Sequence, residues 1–147
     1  MFKKSNGVSL TPLEKEPYMN AEQLEYFKQK LLNWKEELEF DLHLTKKRLQ
    51  QEDLNEADPY DRANKEISIA TELSNKERYR QLIYRINQAL ERIEQGTYGF
   101  CIETGEPIGI KRLEAQPVAA FSIEAQERYE RYKGGHELGE LKLQWVG

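Results

Sequence analysis

The sequence predicts a mainly α-helical protein, with a long antiparallel coiled-coil hairpin, a small turn-rich module and a C-terminal helix. Three observations point there. Apolar residues recur at steps of three and four along residues 20–95, the pattern of paired helices. The set AVILMFWYC makes up 38% of the 147 residues and charged residues 33%, which is thin for a compact core but ample for solvated helices. After Gly96 the stripe gives way to glycine, proline and short apolar stretches.

Residues 1–19 read as a loose leader, with Gly7, Pro12 and Pro17 among polar residues. Asn20 followed by Gln23 is a capping-box pattern, so a helix should begin there. Its apolar positions are Leu24, Phe27, Leu31, Trp34, Leu38, Leu42, Thr45 and Leu49, close to a heptad repeat. No proline or glycine interrupts residues 20–57. About 30 helical residues would span about 45 Å, longer than a small domain is wide.

Residues 51–66 are nearly all polar and should form the exposed tip of a hairpin spanning 20–95. Asp58 as N-cap, Pro59 at the first helical position and Asp61 in the first turn make a good helix start. The second helix should run from Pro59 to about Gln95, with Gly96 as its stop. Its expected stripe is Ala63, Ile67, Ala70, Ser74, Arg78, Leu82, Ile86, Ala89 and Ile93, with a weak seam at Ser74 and Arg78. Two long helices joined by a short polar turn pack antiparallel.

Residues 96–133 are expected to hold the turn-rich module and the C-terminal helix. Phe100, Ile102, Ile108, Ile110, Leu113, Phe121 and Ile123 are the candidates for its apolar core. Ser122 is a good N-cap for the last helix, and Gly134-Gly135 its expected end. In the tail, 134–147, the alternation of Leu141, Leu143 and Trp145 favours a short strand.

The charge balance is 22 − 26 = −4, which argues against a protein held to nucleic acid by bulk electrostatics. No apolar run approaches the length of a membrane span. The N-terminal stretch MFKKSNGVSL lacks an apolar secretion core. One cysteine forbids an internal disulfide, and the expected location is the cytoplasm. Nothing resembles a nucleophile–base pair or a phosphate-cradling loop, so no enzyme is expected.

Cys101 and Thr104 are separated by two residues, as are Ser122 and Ala125, with seventeen residues between the pairs. With four cysteines that spacing would signal a zinc ribbon. Only Cys101 keeps a sulfur, and His43 and His136 are far away in sequence. No zinc and no other stably bound cofactor is expected, so the module is zinc-ribbon-like without the metal. Cys101 reads as a small buried hydrophobe.

These residues resemble the DksA family of bacterial RNA polymerase-binding transcription factors. The likeness runs from about Tyr18 to Tyr132. It includes Tyr18-Met19-Asn20 with Gln23-Leu24, Phe27 and Trp34, and the tip segment from Asp58 to Ala63. It also includes Tyr98 to Cys101, Gly109 to Ala115, and Pro117. The resemblance implies direct binding to RNA polymerase core or holoenzyme, with no sequence-specific DNA binding, and a monomer is expected. Its coiled-coil tip, with Asp58, Asp61 and Ala63, would enter the secondary channel, approach the catalytic centre and alter open-complex stability. It also implies a part in the stringent response through the alarmone ppGpp. Arg85, Gln116 and Gln126 fall at alarmone-proximal positions, and the two neutral glutamines stand where a basic residue is usual, so weakened alarmone binding is expected. The cysteine-poor pattern resembles the family's zinc-independent branch. Two other readings are a transcript-cleavage factor whose tip carboxylates help to hold Mg²⁺, and a coiled-coil adaptor with no polymerase role.

Overall fold

The computed structural model describes residues 17–51 and 58–145, with side chains described as far as residue 135. Most of the expected leader (1–16) and the middle of the expected tip (52–57) lie outside the described residues. Four helices follow in order: α1 Ala21–Gln51, α2 Pro59–Gln95, α3 Ile110–Ala115 and α4 Ile123–Trp145.

Helix α1 starts as its sequence directs. The Gln23 N–H donates to Asn20 Oδ1 at 2.8 Å. Gln23 Oε1 in turn accepts from the Met19 N–H at 2.6 Å, one residue earlier than a standard capping box. Every residue of the expected α1 stripe, from Leu24 to Leu49, is buried or half-buried.

Helix α2 starts at Pro59 behind Asp58, whose side chain accepts from the Tyr60 N–H at 3.0 Å. It ends at Gly96, which takes the left-handed conformation at φ +76°. The Thr97 N–H reaches back to the Arg92 carbonyl at 2.9 Å, and the Gly96 N–H to Ile93 at 3.2 Å. This double closure satisfies the last carbonyls of the helix.

The two helices pack antiparallel. Arg48, near the end of α1, meets Glu72 in the first half of α2 at 3.4 Å. Phe27, near the start of α1, meets the ring of Tyr98 just past the end of α2, with centroids 5.8 Å apart. Phe27, Leu31 and Leu38 are buried with Ile86 and Ala89, and Trp34, Tyr79, Leu82, Ile83, Leu90 and Ile93 pack against them.

The α2 stripe follows its expected course from Leu82 to Ile93 but not beyond. Ala63, Ile67, Ala70, Ser74 and Arg78 are exposed, and the half-buried positions are Lys65, Ile69, Glu72, Asn75, Lys76 and Tyr79. The reason is geometric. Each four-residue step overshoots a full helical turn by about 40°. The expected steps 70, 74, 78, 82, 86 are four in succession and drift about 160° around the helix.

Beyond Gly96 the chain forms a tight loop. Phe100 and Pro107 make an isolated antiparallel bridge. The Cys101 N–H donates to the Glu106 carbonyl and the Ile108 N–H to that of Gly99, each at 2.8 Å. Ser122 caps α4, its Oγ accepting from the Ala125 N–H at 3.3 Å. The module's buried residues are Tyr98, Cys101, Ile108, Ile110, Leu113, Ala119 and Ala125.

Two expected core residues, Ile102 and Ile123, are instead exposed by 62% and 54%. Each directly follows a residue that turns inward, Cys101 or Ser122. Helix α4 also departs from expectation. It passes through Gly134-Gly135 and reaches Trp145 with no strand in the tail. Neither glycine has a positive φ, so neither makes the left-handed turn that stops a helix. Two glycines cost about 1 kcal/mol each, but a strand would need a partner, and no strand exists among the described residues.

Gly99 and Gly96 separate two reasons for a glycine. Both have positive φ, but a Cβ on Gly96 meets nothing, whereas one on Gly99 would lie 2.7 Å from the Met19 side chain. Gly96→Ala should cost about 1–2 kcal/mol from backbone strain alone. Gly99→Ala adds overpacking and should cost about 2–4 kcal/mol. Urea denaturation of the two variants measures the difference.

Candidate functional site

The residues singled out in the sequence lie in three places. At the tip, Asp58 is the α2 cap, and Asp61 and Ala63 are exposed in the first turns. Tyr60 between them is 73% exposed. Two carboxylates at a helix N-terminus suit the positive end of its dipole.

Arg85, Gln116 and Gln126, the positions expected near an alarmone, sit on three different elements. Arg85 is exposed on α2, where it lines a shallow groove with Glu77, Arg80, Gln81 and Tyr84. Gln116 is the C-cap of α3, its N–H bonded to the Arg112 carbonyl at 2.8 Å. Gln126 lies near the start of α4, where its amide donates to Glu130 at 2.8 Å.

The third place is the loop that carries Cys101, Thr104, Ser122 and Ala125. Cys101 is 2% exposed and Ala125 fully buried. Burial alone would raise the Cys101 thiol. Hydrogen bonds from the Thr104 side chain and from the backbones of Ser122, Thr104 and Glu103 outweigh it and hold the thiol down to about 6, against an ordinary 9.0. Cys101 is thus a buried member of the apolar core, as its type suggests, whose sulfur also faces the N–H groups of a turn.

These residues do not fit a zinc ion. A structural site uses four nitrogen, sulfur or oxygen donors, and here one of the four positions is a methyl group and two are hydroxyls. Among the described residues no group of three or more His, Cys, Asp or Glu stands together to hold a metal.

The joint between hairpin and module is polar and was not anticipated. The Tyr18 hydroxyl donates to the Gly99 carbonyl and accepts from the Gly109 N–H at 2.9 Å. Its ring packs edge-on against Phe100 at 5.5 Å. The Tyr26 hydroxyl lies 2.9 and 2.8 Å from the two carboxylate oxygens of Glu114. Lys30 Nζ lies 2.7 Å from the same carboxylate and 2.8 Å from the Glu114 carbonyl. Burial, and then the Glu114 carboxylate as bond partner and negative charge, push the Tyr26 phenol up to about 12. No local pattern marks such residues, because their partners lie more than eighty positions away.

The lowered thiol has a consequence for pH. A group whose folded value lies below its unfolded value adds stability that is fully present above about 9 and lost as pH falls through about 6. Across that window the parent should gain stability relative to Cys101→Ala as pH rises. Denaturation midpoints of both proteins at pH 6 and pH 9 measure it.

Comparison with known proteins agrees with this architecture. Residues 23–93 match the family described as DnaK suppressor protein DksA, N-terminal domain. Residues 96–131 match the prokaryotic dksA/traR C4-type zinc finger. The RNA polymerase-binding transcription factor DksA of Caulobacter vibrioides NA1000 is 56% identical over 125 residues, 85% of this chain and 88% of that protein. Its namesake in Escherichia coli K12 is 39% identical over 111 residues, 76% of this chain and 74% of that one. Among solved structures, transcription factor DksA2 from Pseudomonas aeruginosa superposes with a TM-score of 0.73 at 36% identity, covering 85% of this chain and 98% of that one. From the capped hairpin through the turn-rich module, this chain belongs to the DksA family.

Proposed function

We infer that this chain is a transcription regulator that binds RNA polymerase directly. The observation that carries this is the 56% identity, over 85% of the chain, to a relative named for that binding. The shape supports it. A helical pair about 50 Å long, with its acids at one end and a small module at the other, suits reaching into a narrow passage. The charge of −4 agrees with a partner that is protein rather than a DNA site. No helix among the described residues is long and apolar enough to cross a membrane, and the cytoplasm is the compartment where polymerase is met. The chain acts as a regulator without catalysis of its own, and as a monomer. Competition for core polymerase with a labelled relative tests the binding.

Within that reading, the hairpin enters the secondary channel and the tip acts near the catalytic centre. Asp58, Asp61 and Ala63 are the residues that would face it. Asp58 is engaged as the helix cap, so Asp61 separates a structural from a functional role. Ala63, small and exposed, allows close approach to a channel wall. Weaker alarmone dependence is part of the same reading. Gln116 and Gln126 offer ppGpp no charge-assisted bond, and Arg85 alone keeps a cation. Any part in the stringent response would then lean on contacts supplied by polymerase.

The module works without zinc in this reading, since its four positions supply one thiol, two hydroxyls and a methyl group. The purified protein should carry no stoichiometric zinc, and a chelator should leave its Tm unchanged. Metal analysis near one zinc per chain, or unfolding on chelation, would refute this.

Asp61→Asn should cost only a few tenths of a kcal/mol through the helix dipole. It should keep polymerase affinity yet abolish most of the effect on open-complex lifetime at a sensitive promoter. Regulation equal to the parent's would reduce the tip acids to caps.

A further inference from the structure

We propose that the outer part of the hairpin is a weak joint, set by Glu72, that lets the tip shift relative to the base. The apolar core stops well short of the tip. Its outermost members are Leu38 on α1 and Tyr79 on α2. Residues 39–51 then continue for about 20 Å without such a core. There α1 presents Thr45, only 3% exposed, among Leu42, Leu44 and Leu49, which are half-buried only. Opposite, α2 presents Lys65, Ile69, Glu72, Asn75 and Lys76, and only Ile69 of these is apolar.

Glu72 is the most telling of them. Its Oε1 lies 3.4 Å from Arg48, but its Oε2 is buried with no hydrogen-bond partner among the described residues. A carboxylate oxygen held out of water without a partner is unfavourable. Larger apolar side chains of this stretch point elsewhere, and Phe40, Ile67 and Leu73 are 63%, 66% and 51% exposed. The helices are therefore joined firmly from the module to Leu38 and loosely from there to the tip. Local opening free energies follow buried apolar contact, so the outer part opens first. That motion changes where Asp58 and Asp61 stand without disturbing the base. Its regulatory consequence rests on the polymerase reading above, whereas the looseness of the joint does not.

The test compares the full-length parent with Glu72→Leu and Thr45→Val, each of which places an apolar group in the seam. Hydrogen exchange should slow about tenfold over residues 42–49 and 65–72 in Glu72→Leu, with exchange around Leu31 and Ile86 unchanged. Thr45→Val should do the same to a smaller degree, and both should raise Tm. Glu72→Leu should hold core polymerase as the parent does while losing most of its effect on open-complex lifetime. Exchange that is unchanged or faster in both variants overturns the joint. A hairpin that stiffens yet regulates like the parent overturns its regulatory role. A parent that fails to bind polymerase overturns the functional reading, with the exchange comparison still deciding whether the joint is weak.

Discussion

The phenol of Tyr98 joins the parts of the molecule. It follows the left-handed turn at Gly96, and its ring lies 5.8 Å from that of Phe27 on α1. Its hydroxyl donates to the Pro117 carbonyl at 2.7 Å inside the module. Burial of this ring raises the phenol well above its ordinary range, so it stays a neutral donor at any physiological pH. Removing it would open a cavity between hairpin and module and leave a buried carbonyl unpaired. The end of α2, the start of α1 and the loop before α4 all take their positions from this contact.

Much of this was legible in the sequence because it depends on neighbours. Caps, helix starts and the α1 stripe are set within one or two turns, and Asn20, Gln23, Asp58, Pro59, Gly96 and Ser122 behave as their types require. The outer α2 seam was misread because its sequence carries two stripes. Ala63, Ile67 and Ala70 form an apolar set, yet α2 turns Lys65, Ile69 and Glu72 toward α1. Pairing with α1 fixes the helix phase from the inner half, where Ile86 and Ala89 are fully buried. The outer residues follow that phase whatever their polarity. The tail was misread for a related reason: alternation alone cannot make a strand where no edge is present to receive it. At the candidate site the tip residues were legible from cap chemistry, whereas the Tyr18 and Tyr26 contacts were not.

The loop around Cys101 keeps one thiol among four positions, in a module that matches a family described by four metal-binding cysteines. The family is described as a C4-type zinc finger, and a structural zinc can contribute on the order of 10 kcal/mol to a small domain. The contacts within this loop are smaller and more numerous. Cys101 is buried beside the Thr104 side chain and the turn backbone, which favour its thiolate, Ser122 caps α4, and Ala125 fills interior space with a methyl. The module also leans on the hairpin through Tyr18, Tyr26 and Tyr98. In effect it is a lobe of the hairpin's core.

That dependence gives the base of the molecule the character of a pivot. Helix α2 extends about 55 Å from Gly96 to Pro59. At that length a tilt of about 5° at the base moves the far end by about 5 Å, close to the pitch of one helical turn. The Tyr26–Glu114–Lys30 cluster sits at the short end of this lever, where tenths of an ångström are magnified. The mean aim of the acids at the start of α2 therefore depends on bonds that lie nowhere near them, and the outer seam adds its own play to that aim. A substitution in the small module can misdirect the far end of the protein while leaving every residue there intact.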